Sequence, residues 1–210
     1  MDSDQQTRLA HQQDPETAAR IVRSIGDIER DSLFAWGPLS ERLVREVASV
    51  MRKAAPPTWE VEDGDWGASL ACREWRAIRG IGHDAWLQIA DLFEDEQEDE
   101  HSWPAVIVSA GTTKLCLELM FRPGLTPFAR SLGAKTKLVA NVVKEGFELD
   151  KSGTRLLIPI QIDPEALAKG LEFNDLEEAL SPVGSAVERA IKAQPDLDAL
   201  IDHVRKGRTH

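Results

Sequence analysis

The chain has 210 residues, 42% hydrophobic and 29% charged, with 25 Lys and Arg against 36 Asp and Glu, a net charge of −11 at pH 7. That is the composition of a globular protein able to bury a core without disulfides or a structural metal. An acidic balance argues against direct nucleic-acid binding, which needs clustered Lys and Arg to neutralise phosphate.

Residues 1–13 are polar and without period, and read as a flexible tail with no basic or apolar stretch of a signal peptide. The longest apolar runs, such as Ala105 to Val108, are far too short to cross a bilayer, so no membrane association is expected. Asp14-Pro15-Glu16 supplies a cap, a first-turn proline and an early acid. Ala18, Ile21, Val22, Ile25 and Ile28 then recur at helical spacing and predict an amphipathic helix. After Trp36-Gly37-Pro38 a second helix is predicted, with Leu39, Leu43, Val44, Val47, Val50 and Met51 on one face and a stop at Pro56-Pro57.

From Thr58 the period becomes two. Trp59 and Val61 alternate with acids, Asp63-Gly64-Asp65 is turn chemistry, and Trp66 to Trp75 can return as the second strand of a hairpin. Trp86 to Phe93 predicts a third strand, although a short helix also fits. Pro104 to Ala110 and Lys114 to Phe121, joined through Gly111-Thr112-Thr113, read as a further hairpin. On the second arm Leu115, Leu117, Leu119 and Phe121 share one face. Helical spacing returns from Thr126 to Val143, with Gly146 as the C′ glycine. Phe147 to Asp150 and Thr154 to Ile162 predict a last hairpin, and Asp163-Pro164-Glu165 repeats the capping signature. The remainder is helical to about Arg205, interrupted at Pro182 and Pro195, with 206–210 as a frayed end. The expectation is one α+β domain over 14–205, a mainly antiparallel sheet of hairpins flanked by N-terminal and C-terminal helices. The last helix, with Leu197, Leu200, Ile201 and Val204, is expected to pack on the protein's own core.

Charge and aromatics concentrate in one segment. Residues 58–103 hold 13 acids against Arg73, Arg76 and Arg79, together with five of the six tryptophans. Tryptophan is enriched at binding hot spots and a one-sign field steers a partner of opposite sign. This makes Trp66, Trp86 and Trp103 candidate anchors, and Glu94, Asp95, Glu96, Glu98, Asp99 and Glu100 the steering charge, of a surface for a basic protein partner. The plainer expectation is that tryptophans in a sheet fill its core, with the intervening acids as the solvated face. For the acidic run it is a solvated loop.

Enzyme signatures are thin. Glu60, Glu62, Asp63, Asp65 and Glu74 flank the first hairpin, the one place where carboxylates could gather on a divalent metal. Asp65 followed by Glu74-Trp75-Arg76 distantly resembles the Asp…Glu-x-Lys arrangement of restriction-endonuclease-like nucleases, with arginine where those carry lysine. The resemblance implies a metal-dependent hydrolase, or a degenerate nuclease domain, with Asp65 and Glu74 as ligands. His83 and His101 have no partner at zinc-ligand spacing, and Cys72 and Cys116 are isolated. Residues 94–100 lack the spacing of a calcium-binding loop, Ser109-Ala110-Gly111 lacks the leading glycine of a nucleophile elbow, and Gly133-Ala134-Lys135-Thr136 fails as a phosphate loop. No cofactor is expected. The balance leans to a non-enzymatic, cytoplasmic interaction protein of inhibitor, immunity or adaptor type. A metal-dependent hydrolase and a structural subunit of a larger complex are the alternatives. An Ala- and Arg-rich, Lys-poor style points to a bacterial source.

Overall fold

A computed structural model describes residues 15–64, 67–77, 81–93, 102–109, 113–131 and 137–207. Asp65, Trp66, the acidic run 94–100, His101 and the N-terminal tail lie outside the described residues.

The chain opens with helix α1 (Pro15–Phe34), passes through a π-helical turn (Ala35–Leu39) and continues as α2 (Ser40–Ala54). Sequence reasoning placed a break at Trp36-Gly37-Pro38, whereas the helical run is continuous. Pro38 offers no backbone N–H, so the turn widens around it, and Ser40 Oγ donates to the Ala35 carbonyl at 2.6 Å. On α2 the residues Leu43, Val44, Val47, Ala48 and Met51 are buried, the face that their spacing predicted.

Six strands follow in the order β1-β2-β3-β4-β6-β5, with antiparallel pairing throughout. They are β1 (Trp59–Gly64), β2 (Gly67–Cys72), β3 (Ala85–Phe93), β4 (Thr113–Phe121), β5 (Glu148–Leu149) and β6 (Leu156–Pro159). The α+β class and the antiparallel sheet are therefore as expected. Trp59 pairs with Cys72 and Gly64 with Gly67, which leaves a two-residue turn. Leu70 pairs with Leu87, and Leu87 with Leu119. Because side chains alternate, this register gathers Trp59, Leu70, Leu87, Ile89, Leu115, Leu117 and Ile158 in one buried layer.

Two strand expectations fail. Pro104 to Ala110 is no strand: Trp103–Ile107 forms a short helix, α3, with Pro104 in its first turn. Pro104 has no N–H for a ladder but suits a helix start, and Val106 and Ile107 become buried from that turn. The second strand of the first hairpin ends at Cys72 instead of running on to Trp75, because Arg73–Trp75 is a 3₁₀ turn. That turn drops Trp75 into the core, where its indole N–H donates to Asp198 Oδ1 at 2.6 Å. Glu74, predicted on a strand, is instead exposed on this turn.

The C-terminal helices are α4 (Thr126–Ser131), α5 (Lys137–Lys144), α6 (Pro164–Phe173), α7 (Ser181–Lys192) and α8 (Gln194–Gly207). Asp163 caps α6 by accepting from Glu165 N at 2.9 Å, and Gly146 adopts φ +101 after α5. Pro182 and Pro195 sit where α7 and α8 begin, so they start helices and interrupt none. On α8, Leu197, Leu200, Ile201 and Val204 are all buried against the protein's own core. None of the described helices is long and apolar enough to cross a membrane.

Candidate functional site

Strand alternation that buries Trp59 and Leu70 turns Glu60, Glu62, Ser69, Ala71 and Trp86 to the other face of the sheet. There they line a groove of about 630 Å³. Its floor is Ser69 and Ala71 on β2, both small. Glu60 and Glu62 on β1 stand along one side and Trp86 on β3 along the other. Arg76, Ala77, Ile81, Gly82 and His83 close one end. That end is braced by a bridge between Arg76 and His83 and by Ala77 N donating to Gly82 O at 3.0 Å. Gly82 adopts φ +86, a conformation that favours glycine.

The charges in the groove are not equivalent. Glu60 Oε1 accepts from Arg76 Nη2 at 2.7 Å and from Arg73 Nε at 3.2 Å, and its Oε2 lies 3.5 Å from His83 Nε2. Burial pushes the Glu60 carboxyl up, but the Arg76 and Arg73 guanidiniums outweigh it and hold the group below its ordinary value. Glu60 is thus a fixed, compensated charge that ties β1 to the end wall. Glu62 has no ion-pair partner among the described residues, and it leaves an uncompensated carboxylate facing the groove. The Trp86 indole N–H is satisfied by Gln88 Oε1 at 3.1 Å, which orients the ring within a half-buried position.

The tryptophans divide by role. Trp59 and Trp75 are core, packed edge to face with ring centroids 4.9 Å apart. Trp103 is half-buried against Gly67 at the far end of the first hairpin. Trp86 alone of the described tryptophans of this segment lines the groove. The predicted anchors Trp86 and Trp103 are therefore not brought together. From Trp86 to Phe93 strand β3 covers about 24 Å at the rise of an extended chain, and the acidic run that follows in sequence lies outside the described residues. Among the described residues no three His, Cys, Asp or Glu side chains converge in a way that would hold a metal. Glu74 is exposed away from a strand, and Asp65 is outside the described residues.

Glu62, Ser69, Arg76 and His83 were not singled out as binding residues by sequence reasoning. Glu60 and Glu62 were noted only as carboxylates flanking the first hairpin that could gather on a divalent metal. The signal that could have joined them to Trp86 is parity: with β2 between them, even positions of β1 and β3 must share a face once Leu70 is placed opposite Leu87. A second exposed surface was also missed. Helix α1 leaves Ile21, Val22, Ile25, Ile28 and Leu33 between 44% and 74% exposed. Comparison with protein-family models, curated proteins and solved structures finds no match to this chain.

Proposed function

We propose that the protein is a non-enzymatic interaction module that takes a basic segment of a partner protein into the groove between β1 and β3. The observation that carries this reading is that the Glu62 carboxylate and the Trp86 indole line the same groove over a floor of small side chains, Glu62 standing across Ser69 from Gln88 and diagonally across the floor from Trp86. A lysine or arginine head entering there meets an anion on one side and an aromatic π face on the other, the two features that bind a cation. Small floor residues leave room for the extended backbone that carries such a side chain. Glu60, already paired with Arg73 and Arg76, shapes the wall and adds little net attraction.

The acidic run Glu94 to Glu100 belongs to the same proposal as a steering element that raises the encounter rate. This chemistry fits an inhibitor, an immunity protein or an adaptor subunit of a complex. Two free, buried thiols, Cys72 and Cys116, fit a reducing cytoplasm, and the Arg-rich, Lys-poor composition fits a bacterial source.

The test is titration with an Arg- and Lys-rich peptide against an acidic peptide of equal length. Binding of the basic peptide alone is expected, weakened roughly tenfold by Trp86→Ala and by Glu62→Gln, and weakened further by salt. Replacing the acids of 94–100 by amides is expected to slow association at low salt with little change in dissociation. Equal binding of both peptides, or indifference to Trp86→Ala and Glu62→Gln, would contradict the reading.

A further inference from the structure

Helix α1 is 20 residues long and spans about 30 Å. None of its residues from Glu16 to Phe34 is buried. Helices of this length gain most of their stability from packing an amphipathic face, and among the described residues none covers the apolar face of this one. With about 100° of rotation per residue, Ala18, Ile21, Ile25, Ile28 and Ser32 fall on one stripe at alternating three- and four-residue steps, the spacing of a helix-pairing seam. Val22, Glu29 and Leu33 flank it on one side, and Arg20, Ser24 and Asp31 on the other. The ion pair of Arg30 with Asp27 at 3.0 Å lies on the far side.

We infer that α1 is a self-association element, pairing antiparallel with α1 of a second copy of this chain. A register that sets Ile25 against Ile28 of the second copy also sets Ile21 against its Ser32, pairing the isoleucines of both seams and leaving Ala18 beyond the overlap. In that register Val22 and Leu33, 71% and 74% exposed, meet across one flank, each covering the other twice by symmetry. Across the opposite flank Arg20 comes within about two residues' rise, about 3 Å, of Asp31 of the second copy, and the pair also occurs twice. A parallel pairing separates Val22 from Leu33, and Arg20 from Asp31, by 11 positions each, so both complementary matches are lost. Other occupants fit less well. With Arg20, Arg23 and Arg30 against Glu16, Asp27, Glu29 and Asp31, the helix has no one-sign field for an anionic membrane or for nucleic acid. The groove plays no part in this pairing, so the inference stands apart from the proposed function.

Sedimentation of the full chain over a range of concentrations up to about 200 µM tests it. A monomer–dimer equilibrium is expected, shifted to monomer by Ile25→Asp or Ile28→Asp while the unfolding midpoint of the α+β body stays unchanged. Arg20→Asp and Asp31→Arg are each expected to weaken the dimer roughly threefold to tenfold, and the two together to restore it. A chain that remains monomeric over that range would overturn the inference, as would a charge-swapped double variant no tighter than either single one.

Discussion

Asp84 is 1% exposed and carries its charge between two arginines. Arg205 Nε donates to Asp84 Oδ2 at 2.9 Å, and Arg122 Nε sits 2.6 Å from Oδ1, off the N–H direction, so that contact is electrostatic more than a directed hydrogen bond. Arg205 also reaches the carbonyls of Glu74 and Arg76, which fastens α8 to the chain entering the groove's end wall. Removing the carboxylate takes a shared buried anion from two arginines, Arg205 keeping Asp202 and the two carbonyls, so Asp84→Ala is expected to destabilise by about 3 kcal/mol, read from urea unfolding. A cost under about 1 kcal/mol would show that solvent takes over the pairing. Burial pushes the Cys116 thiol up to about 12 and raises that of Cys72 as well. Both are expected to resist alkylation at pH 8 in the folded protein and to react once it is unfolded. Labelling of either at the rate of a free thiol would contradict their placement in the sheet.

At the scale of elements, the first hairpin shows how a strand register becomes a site. Two-residue turn chemistry and alternating apolar residues made this hairpin legible in the sequence, and so did the core faces of α2, β3 and β4. The short helix at Trp103–Ile107 was not legible, because an apolar run of five carries no period that separates a strand from a single helical turn. Nor was the end of β2, where the burial of Trp75, decided by Asp198 more than a hundred residues away, overrides the alternating pattern. Gly67 adopts φ +105, and a Cβ there would lie 2.5 Å from Trp103 Cζ2. Gly67→Ala is therefore expected to destabilise by about 2 kcal/mol and to displace Trp103, visible as a changed near-ultraviolet dichroism spectrum. The Glu60 clamp gives this region a pH dependence. Its carboxyl is held below the ordinary value in the fold, so its contribution is complete at neutral pH and is lost as the pH falls through the folded-state value. A stability gap between the wild type and Glu60→Gln is expected at pH 7 and is expected to close as the pH falls through the lowered folded-state value. A gap that stays constant across that range would contradict the clamp.

For the whole molecule, two surfaces among the described residues stand out once the core is closed. One is the groove on the sheet, and the other is the stripe of α1. The concentration of acids and tryptophans in 58–103 was legible at once, but its meaning divided on folding: Trp59 and Trp75 went to the core, Trp103 to the hairpin tip, and Trp86 to the groove. Composition cannot make that division, since it depends on which face of which strand each ring occupies. The α1 stripe had the opposite fate. Its periodicity was plain, yet a helical period says that a face is apolar and not what covers it. The central claim, that the groove receives a basic segment, is tested most directly by following the indole N–H resonances during addition of an Arg- and Lys-rich peptide. The Trp86 signal is expected to shift while those of the core residues Trp59 and Trp75 hold still, and Glu62→Gln is expected to suppress the shift. An unmoved Trp86 signal at saturating peptide would contradict it.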